Sequence, residues 1–372
     1  MTDPTRPARL ARVRQAMDDA GVDALLLSQG ADLPWLTGYR AMPLERLTVL
    51  VLPHDDEAVL LVPALEAPRV APEPGVFRLR PWAETEDPVA LACDLLGEPR
   101  ALGISARAWA TTVLDFQRRL PGAAWMDASV VTAPLRAVKD EVEIAALRAA
   151  GAAADRVAIA LQGGEVALVG RTEAEVSAEI AERLRAEGHR KVNFSIVGSG
   201  PNGASPHHEA GGRRIERLDV VVCDFGGELV LEGEVGYCSD ITRTVVTGPP
   251  NAEVAEAYAV LREAQSQAVA AVAPGVAAEE IDAVARGVIE AAGLGGCFIH
   301  RTGHGIGIEE HEDPYLVAGN RTALLPGHAF SVEPGIYFAG RFGMRLEDIV
   351  VVGVEGPEAL NAADHALVVV EA

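Results

Sequence analysis

The sequence predicts an α/β N-terminal domain over residues 1–132, followed by an α+β catalytic-type domain over residues 133–372 that carries an internal duplication. Three observations predict it. Short apolar runs alternate with helix-period segments through the first part. The second part repeats a helix-start pattern at a fixed spacing, and each copy is followed by β-rich sequence holding two acids.

In the first part, Leu10, Val13 and Met17 recur at helical spacing and Gly21 follows as a stop. Residues 24–27 read as a short buried strand. Residues 48–52 and 58–62 flank the turn-rich segment 53–57 and read as a hairpin. Residues 101–104 read as a further strand and 111–120 as a helix. Thr132-Ala133-Pro134 marks a boundary. Beyond it Asp140 with Glu143, and Thr172 with Glu175, form capping-box starts.

The duplication lies in this second part. Its helix segment runs from Gly170 to Gly188 in one copy and from Gly275 to Gly293 in the other, a spacing of 18 in each. Residues 219–225 and 240–246 read as strands in the first copy, residues 329–337 and 347–354 in the second. Two α+β halves related by a pseudo-twofold axis would build a site from both.

Composition bounds the function. The 372 residues hold 54 acids against 32 bases, a formal charge of −22, which disfavours nucleic acid and anionic membrane surfaces as partners. Cys93, Cys223, Cys238 and Cys297 show no CxxC spacing, so neither a disulfide framework nor a thiolate zinc cluster is expected. Residues 1–21 have no apolar core of a signal peptide, and no run approaches the roughly 18 apolar residues of a membrane span. A cytoplasmic enzyme is the expectation.

Asp224 and Asp240 lie 16 apart in the first copy, Glu333 and Glu347 14 apart in the second. All four sit in apolar, strand-like surroundings. Buried carboxylates are costly unless paired or bound to a cation. Two divalent ions would balance four carboxylates, and neutral His304 would complete a core able to hold a bridging hydroxide. A single Asp at a strand end is more commonly a turn residue; the repeated pairs are what set these apart. Glycines flank His304 in Gly303-His304-Gly305, permitting close approach. His207 lies 37 residues after Gly170 and His311 lies 36 after Gly275, matching places on either flank. His208 has no counterpart and reads as an ordinary polar residue.

These segments resemble the creatinase/aminopeptidase "pita-bread" metallopeptidases, and within them the Xaa-Pro dipeptidases (prolidases) and aminopeptidases. The resemblance rests on Trp35-Leu-Thr-Gly-Tyr39, the segment ending Ser205-Pro206-His207, Val222-Cys-Asp224-Phe-Gly-Gly and Tyr237-Cys-Ser-Asp240. It continues through Gly303-His304-Gly305, His311-Glu-Asp-Pro314, Val332-Glu333-Pro-Gly-Ile-Tyr337 and Arg345-Leu-Glu347. It implies that Asp224, Asp240, His304, Glu333 and Glu347 hold two divalent metals, with manganese favoured and cobalt or zinc possible. It implies Glu333 as general base, His207 and His311 as catalytic and substrate-positioning donors, and His300 and Arg345 as substrate contacts. It further implies an X-Pro peptide substrate and a homodimer. The insert 228–234 departs from the family by lengthening the gap between the aspartates; an even extension preserves side-chain facing. The rivals are an aminopeptidase on longer peptides, a metal-free creatinase-like hydrolase, a non-catalytic binding protein, and a methionine aminopeptidase, which leaves residues 1–132 unexplained.

Overall fold

The structure, a computed structural model, describes residues 5–233 and 235–370. It comprises two compact units. The first holds the described residues up to Arg136 with Glu232, Gly233 and Val235, and the second holds the rest.

In the first unit, α1 (Arg6–Ala20) buries Leu10, Val13 and Met17 and ends at Gly21, whose φ of 65° is the left-handed stop its sequence predicts. The fully buried β1 (Ala24–Leu27) is followed by α2 (Asp32–Thr37), then by the antiparallel pair β2 (Val49–Pro53) and β3 (Val59–Pro63). β4 (Arg78–Trp82), α3 (Pro88–Leu96), β5 (Ala101–Ile104), α4 (Ala110–Arg119) and β6 (Ala124–Asp127) complete a six-stranded mixed sheet ordered β4-β3-β2-β1-β5-β6. Helix α5 (Ser129–Ala137) runs through Thr132-Ala133-Pro134, so the boundary cue falls inside a helix, close to the division between the two units after Arg136. Pro134 gives up one helical N–H there.

The second unit opens with α6 (Glu141–Gln162) and α7 (Glu173–Ala186), both started by the expected capping boxes. β7 (His189–Ser199), β8 (Val220–Leu229) and β9 (Tyr237–Val246) form a sheet with the C-terminal β17 (Val368–Val369). The second copy has α8 (Ala252–Ala270) and α9 (Ala278–Ala291). Its sheet is ordered β11-β10-β12-β15-β16, from β10 (Gly303–Gly305), β11 (Glu312–Leu316), β12 (Ala329–Val332), β15 (Asp348–Val352) and β16 (Pro357–Ala359). A hairpin of β13 (Gly335–Phe338) and β14 (Phe342–Arg345) accompanies it.

Two-residue alternation decides which side chains meet the helices. Val221, Cys223, Phe225, Ile241 and Val245 pack against α6 and α7 in one core. Phe330, Val332, Val350 and Val352 pack against α8 and α9 in another. The intervening residues Asp224, Asp240, Thr242 and Ser331 therefore point to the opposite faces. The pairing of Gly226 with Asp240 and of Asp224 with Thr242 makes the two aspartates diagonal neighbours, so the insert leaves their facing intact. Glu234 of that insert lies outside the described residues.

The expected strand over residues 329–337 is broken in two at Glu333-Pro334. Proline has no N–H for the ladder and fixes φ. Glu333 is thus the last residue before a change of direction.

The two sheets meet where Thr242 of β9 bridges Glu347, just before β15. Arg243, fully buried, clamps this junction: its guanidinium donates to the carbonyls of Thr242 (3.0 Å), Glu347 (2.6 Å) and Ala363 (2.9 Å) and to the Asp348 carboxylate (2.8 Å). Replacing Arg243 with Met leaves three carbonyls short of a donor and a buried acid short of its cation. The expected cost is about 3–5 kcal/mol, read as a lowered urea midpoint with an unchanged m-value.

Candidate active site

One cavity of about 440 Å³ in the second unit brings together all nine side chains singled out in the sequence. Its lining includes Asp224, Asp240, His304, Glu333 and Glu347, and also His207, His300, His311 and Arg345 at other points of the wall. Asp224 and Asp240 come from the inner face of β8 and β9. Glu333 stands at the proline break, and Glu347 at the junction of the sheets. Glu347 accepts from the Thr242 hydroxyl at 2.6 Å.

His304 sits mid-strand in β10, between β11 and β12. Its flanking glycines are a packing requirement: a Cβ at Gly303 would overlap the Ser331 carbonyl, and one at Gly305 the Asp313 carbonyl. The His304 Nδ1 lies 3.1 Å from the Gly305 carbonyl, which only accepts, so Nδ1 carries the hydrogen. Nε2 is left as a bare lone pair. It lies 3.3 Å from a Glu333 oxygen and 3.7 Å from an Asp240 oxygen.

Electron-rich atoms face one another here. Burial, and then the neighbouring charges of Glu347, Asp224 and Glu333, push Asp240 well above the ordinary carboxylate range. Burial followed by Glu333 and Asp224 does the same to Glu347. Burial raises Glu333 to about 7 although Arg345 opposes the shift. Burial lowers His304 to about 3, so its imidazole is neutral. Ligand atoms of Asp240, His304 and Glu347 lie within 4.8 Å of one another. Asp224 Oδ1 and Asp240 Oδ1 are buried without a donor. Orphaned carboxylate oxygens converging on a bare imidazole nitrogen, whose other nitrogen is pinned by a carbonyl, form a donor set that suits a divalent cation.

His300 and Arg345 occupy a second layer of this wall. Arg345 donates through Nη1 to the Tyr337 hydroxyl (2.9 Å) and to the Pro206 carbonyl (3.3 Å), through Nε to Thr242 (3.1 Å), and through Nη2 to Asp224. At 2% exposed it is largely spent inside the protein. His300 Nδ1 donates to the Arg301 carbonyl at 2.7 Å, so Nε2 accepts the Tyr337 O–H at 2.9 Å. The hydrogens therefore run one way, from Arg345 to Tyr337 to His300 to a backbone carbonyl. Burial, reinforced by Arg345, lowers His300 to about 4 and keeps it neutral. His207 and His311, by contrast, are exposed. The His311 ring centroid is 3.9 Å from that of His304.

Sequence reasoning overlooked several wall residues: Phe194, Ile196, Arg301 and Glu310 line the cavity, and Tyr337 and Thr242 orient its charged groups. Thr242 was findable, since it lies two residues from Asp240 and so shares its face. It also overlooked Glu173, fully buried at the start of α7. Glu173 accepts from the Ser199 N–H (2.8 Å) and hydroxyl (2.7 Å), from Asn202 (3.0 Å) and from His208 (2.8 Å). These bonds pin the loop that carries His207, and they give His208 the structural place its sequence suggested.

Fold and site together make this chain a metallopeptidase: it belongs to metallopeptidase family M24, whose model matches residues 145–353, with a creatinase/prolidase N-terminal domain matched over residues 9–138. Among its relatives, the chain is 46% identical over 367 residues to a probable dipeptidase PepE of Mycobacterium tuberculosis, covering 97% of this chain and 96% of that one. Among solved structures it resembles the dipeptidase PepE of Mycobacterium ulcerans, at 43% identity, TM-score 0.91 and 98% coverage of both chains. It also resembles a prolidase of Thermococcus sibiricus, at 36% identity, TM-score 0.89 and 99% coverage of both. No described helix is long and apolar enough to cross a membrane.

The raised carboxylates set a pH dependence for chelator-treated protein. A folded carboxyl held above its unfolded value binds more protons than the unfolded chain, so its contribution to stability is complete at low pH and is lost as pH rises through the folded value. With Glu333 near 7, metal-free protein is expected to melt at lower temperature at pH 8 than at pH 6. Glu333→Gln is expected to flatten that slope, measured by calorimetry in chelator.

Proposed function

We propose that the protein is a dinuclear-metal peptidase that hydrolyses Xaa-Pro dipeptides. The observation that carries this reading is the bare Nε2 of His304 set among the buried oxygens of Glu333 and Asp240, at 3.3 and 3.7 Å. Asp224, Asp240, His304, Glu333 and Glu347 would hold two divalent ions. The oxygen-rich set with one imidazole favours manganese, with cobalt or zinc as alternatives. Bound there, such ions polarise a carbonyl and make water nucleophilic at neutral pH.

The chain's own groups supply the rest. Glu333, whose carboxylate stands beside His304 at the bend after β12, would take a proton from the attacking water and return it to the leaving nitrogen. His311 and His207, exposed on the cavity wall, are free to donate to the carbonyl oxygen as charge develops on it. The Arg345–Tyr337–His300 series holds that wall rigid.

An X-Pro bond suits such a site. Its nitrogen carries no hydrogen, so a protease that grips the amide N–H loses a contact here, whereas a site that grips the carbonyl oxygen and the free α-amine does not. The relatives named as dipeptidases and prolidases support the same substrate class. Cleavage of longer X-Pro peptides, as by an aminopeptidase, is the second reading; the shared donor set favours neither.

Purified protein with added Mn²⁺ is expected to hydrolyse Ala-Pro. Chelation should abolish the activity and Mn²⁺ should restore it. Glu333→Ala should lower kcat by at least about 10²–10⁴-fold. Protein that carries stoichiometric metal and leaves every X-Pro peptide intact would overturn the substrate assignment.

A further inference from the structure

We propose that Glu173 and Asp282 are a matched pair of positioning residues, Glu173 for the substrate-facing His207 and Asp282 for the metal donors His304 and Glu333. The Glu173 half rests on the peptidase reading above; the Asp282 half needs only the donor set.

The two acids occupy related places in the duplication. Glu173 lies 3 residues after Gly170, in α7, and Asp282 lies 7 after Gly275, in α9. A difference of four positions is about one helical turn, so both project from the equivalent face of their helices. Both are buried. An acid withdrawn from water is costly unless donors converge on it. Each of these meets that need in the same way: a single carboxylate oxygen accepts from both the backbone N–H and the hydroxyl of one residue. For Glu173 that residue is Ser199, at 2.8 and 2.7 Å. For Asp282 it is Thr302, at 3.0 and 2.8 Å. Ser199 and Thr302 stand 29 and 27 residues after the same two glycines. Both halves therefore carry one acid–hydroxyl grip at one place in the repeat.

What each grip holds differs. The other oxygen of Glu173 accepts from Asn202 (3.0 Å) and His208 (2.8 Å). Ser199, Asn202 and His208 bracket the loop that carries His207. That loop is also held at Gly203, whose carbonyl a Cβ at Gly343 would overlap, and at the Pro206 carbonyl, which accepts from Arg345 at 3.3 Å. Among the described residues the exposed His207 side chain has no hydrogen-bond partner, so the backbone beneath it sets its place. The other oxygen of Asp282 accepts from Arg286 Nε at 3.0 Å, and that guanidinium donates on to the carbonyls of Phe298 (3.1 Å) and His300 (2.9 Å). Thr302 lies two residues before His304, and its carbonyl accepts from the Glu333 N–H at 2.8 Å. Asp282 thus fixes the backbone that presents both metal donors. Replacing either acid by its amide keeps the volume but turns one acceptor into a donor facing donors.

The test compares wild type, Glu173→Gln and Asp282→Asn, with Glu173→Gln also made in a His207→Ala background. Titration calorimetry gives Mn²⁺ affinity, assays at saturating Mn²⁺ give kcat and KM for Ala-Pro, and thermal melts confirm folding. Asp282→Asn is expected to weaken Mn²⁺ binding by about 10- to 100-fold and, once saturated, to keep kcat within a few-fold. Glu173→Gln is expected to leave Mn²⁺ affinity within a few-fold and to lower kcat by about 10- to 100-fold. In the His207→Ala background it should lower kcat no further, because the two changes act through one group. Should either acid variant fail to fold, His208→Ala and Thr302→Val remove one donor from each acid and should divide in the same way, with smaller effects. A Glu173→Gln loss that persists in full without His207 would overturn the pairing. So would a His207→Ala enzyme as active as the wild type, or a folded Asp282→Asn with wild-type Mn²⁺ affinity. A metal-loaded wild type that cleaves no X-Pro peptide would overturn the peptidase reading and the Glu173 half with it, while the Mn²⁺ titration would still decide the Asp282 half.

Discussion

The site depends on the junction of two sheets at Thr242 and Glu347. The backbones bridge there, the Thr242 hydroxyl donates to the Glu347 carboxylate, and Arg243 ties both carbonyls to Asp348 from behind. Helices cover the outer face of each sheet through separate apolar cores, so each inner face is available for polar groups. The junction brings those inner faces together. Asp224 and Asp240 arrive from one, and His304, Glu333 and Glu347 from the other.

Such convergence is unfavourable by itself. Several carboxylates withdrawn from water repel one another, and burial with that repulsion raises Asp240, Glu333 and Glu347 above the ordinary carboxylate range. Tertiary packing supplies the energy that keeps them in place. A divalent cation placed among these oxygens would relieve that repulsion. Neutral His304 fits this economy: its charged form would add a cation to the protein, whereas its bare lone pair adds a ligand.

Much of this was legible in the residues. The capping boxes at Asp140 and Thr172, the stop at Gly21, the hairpin of β2 and β3, and the facing of Asp224 and Asp240 all follow from local rules. One local reading failed, at a proline. The boundary read at Pro134 lies within a helix, where a single missing N–H is tolerated, and close to the division between the two units after Arg136. Pro334 was read through as strand and instead ends one, which places Glu333 at a bend. Proline's effect depends on whether its missing hydrogen bond has a partner waiting, and that partner is remote in sequence.

By itself, the sequence picked out the carboxylates and histidines that line one cavity and the alternation that aims Asp224 and Asp240 inward. These depend on residue type and on periods of two and 3.6, which are local. Tertiary structure alone decided which groups are spent and which are free. Arg345 and His300, expected to meet substrate, are largely engaged with Tyr337, Asp224 and a backbone carbonyl, while the unremarked Arg301 keeps its donors. Whether a side chain is saturated is a property of its contacts. Those of Arg345 reach more than a hundred residues along the chain, beyond any local pattern.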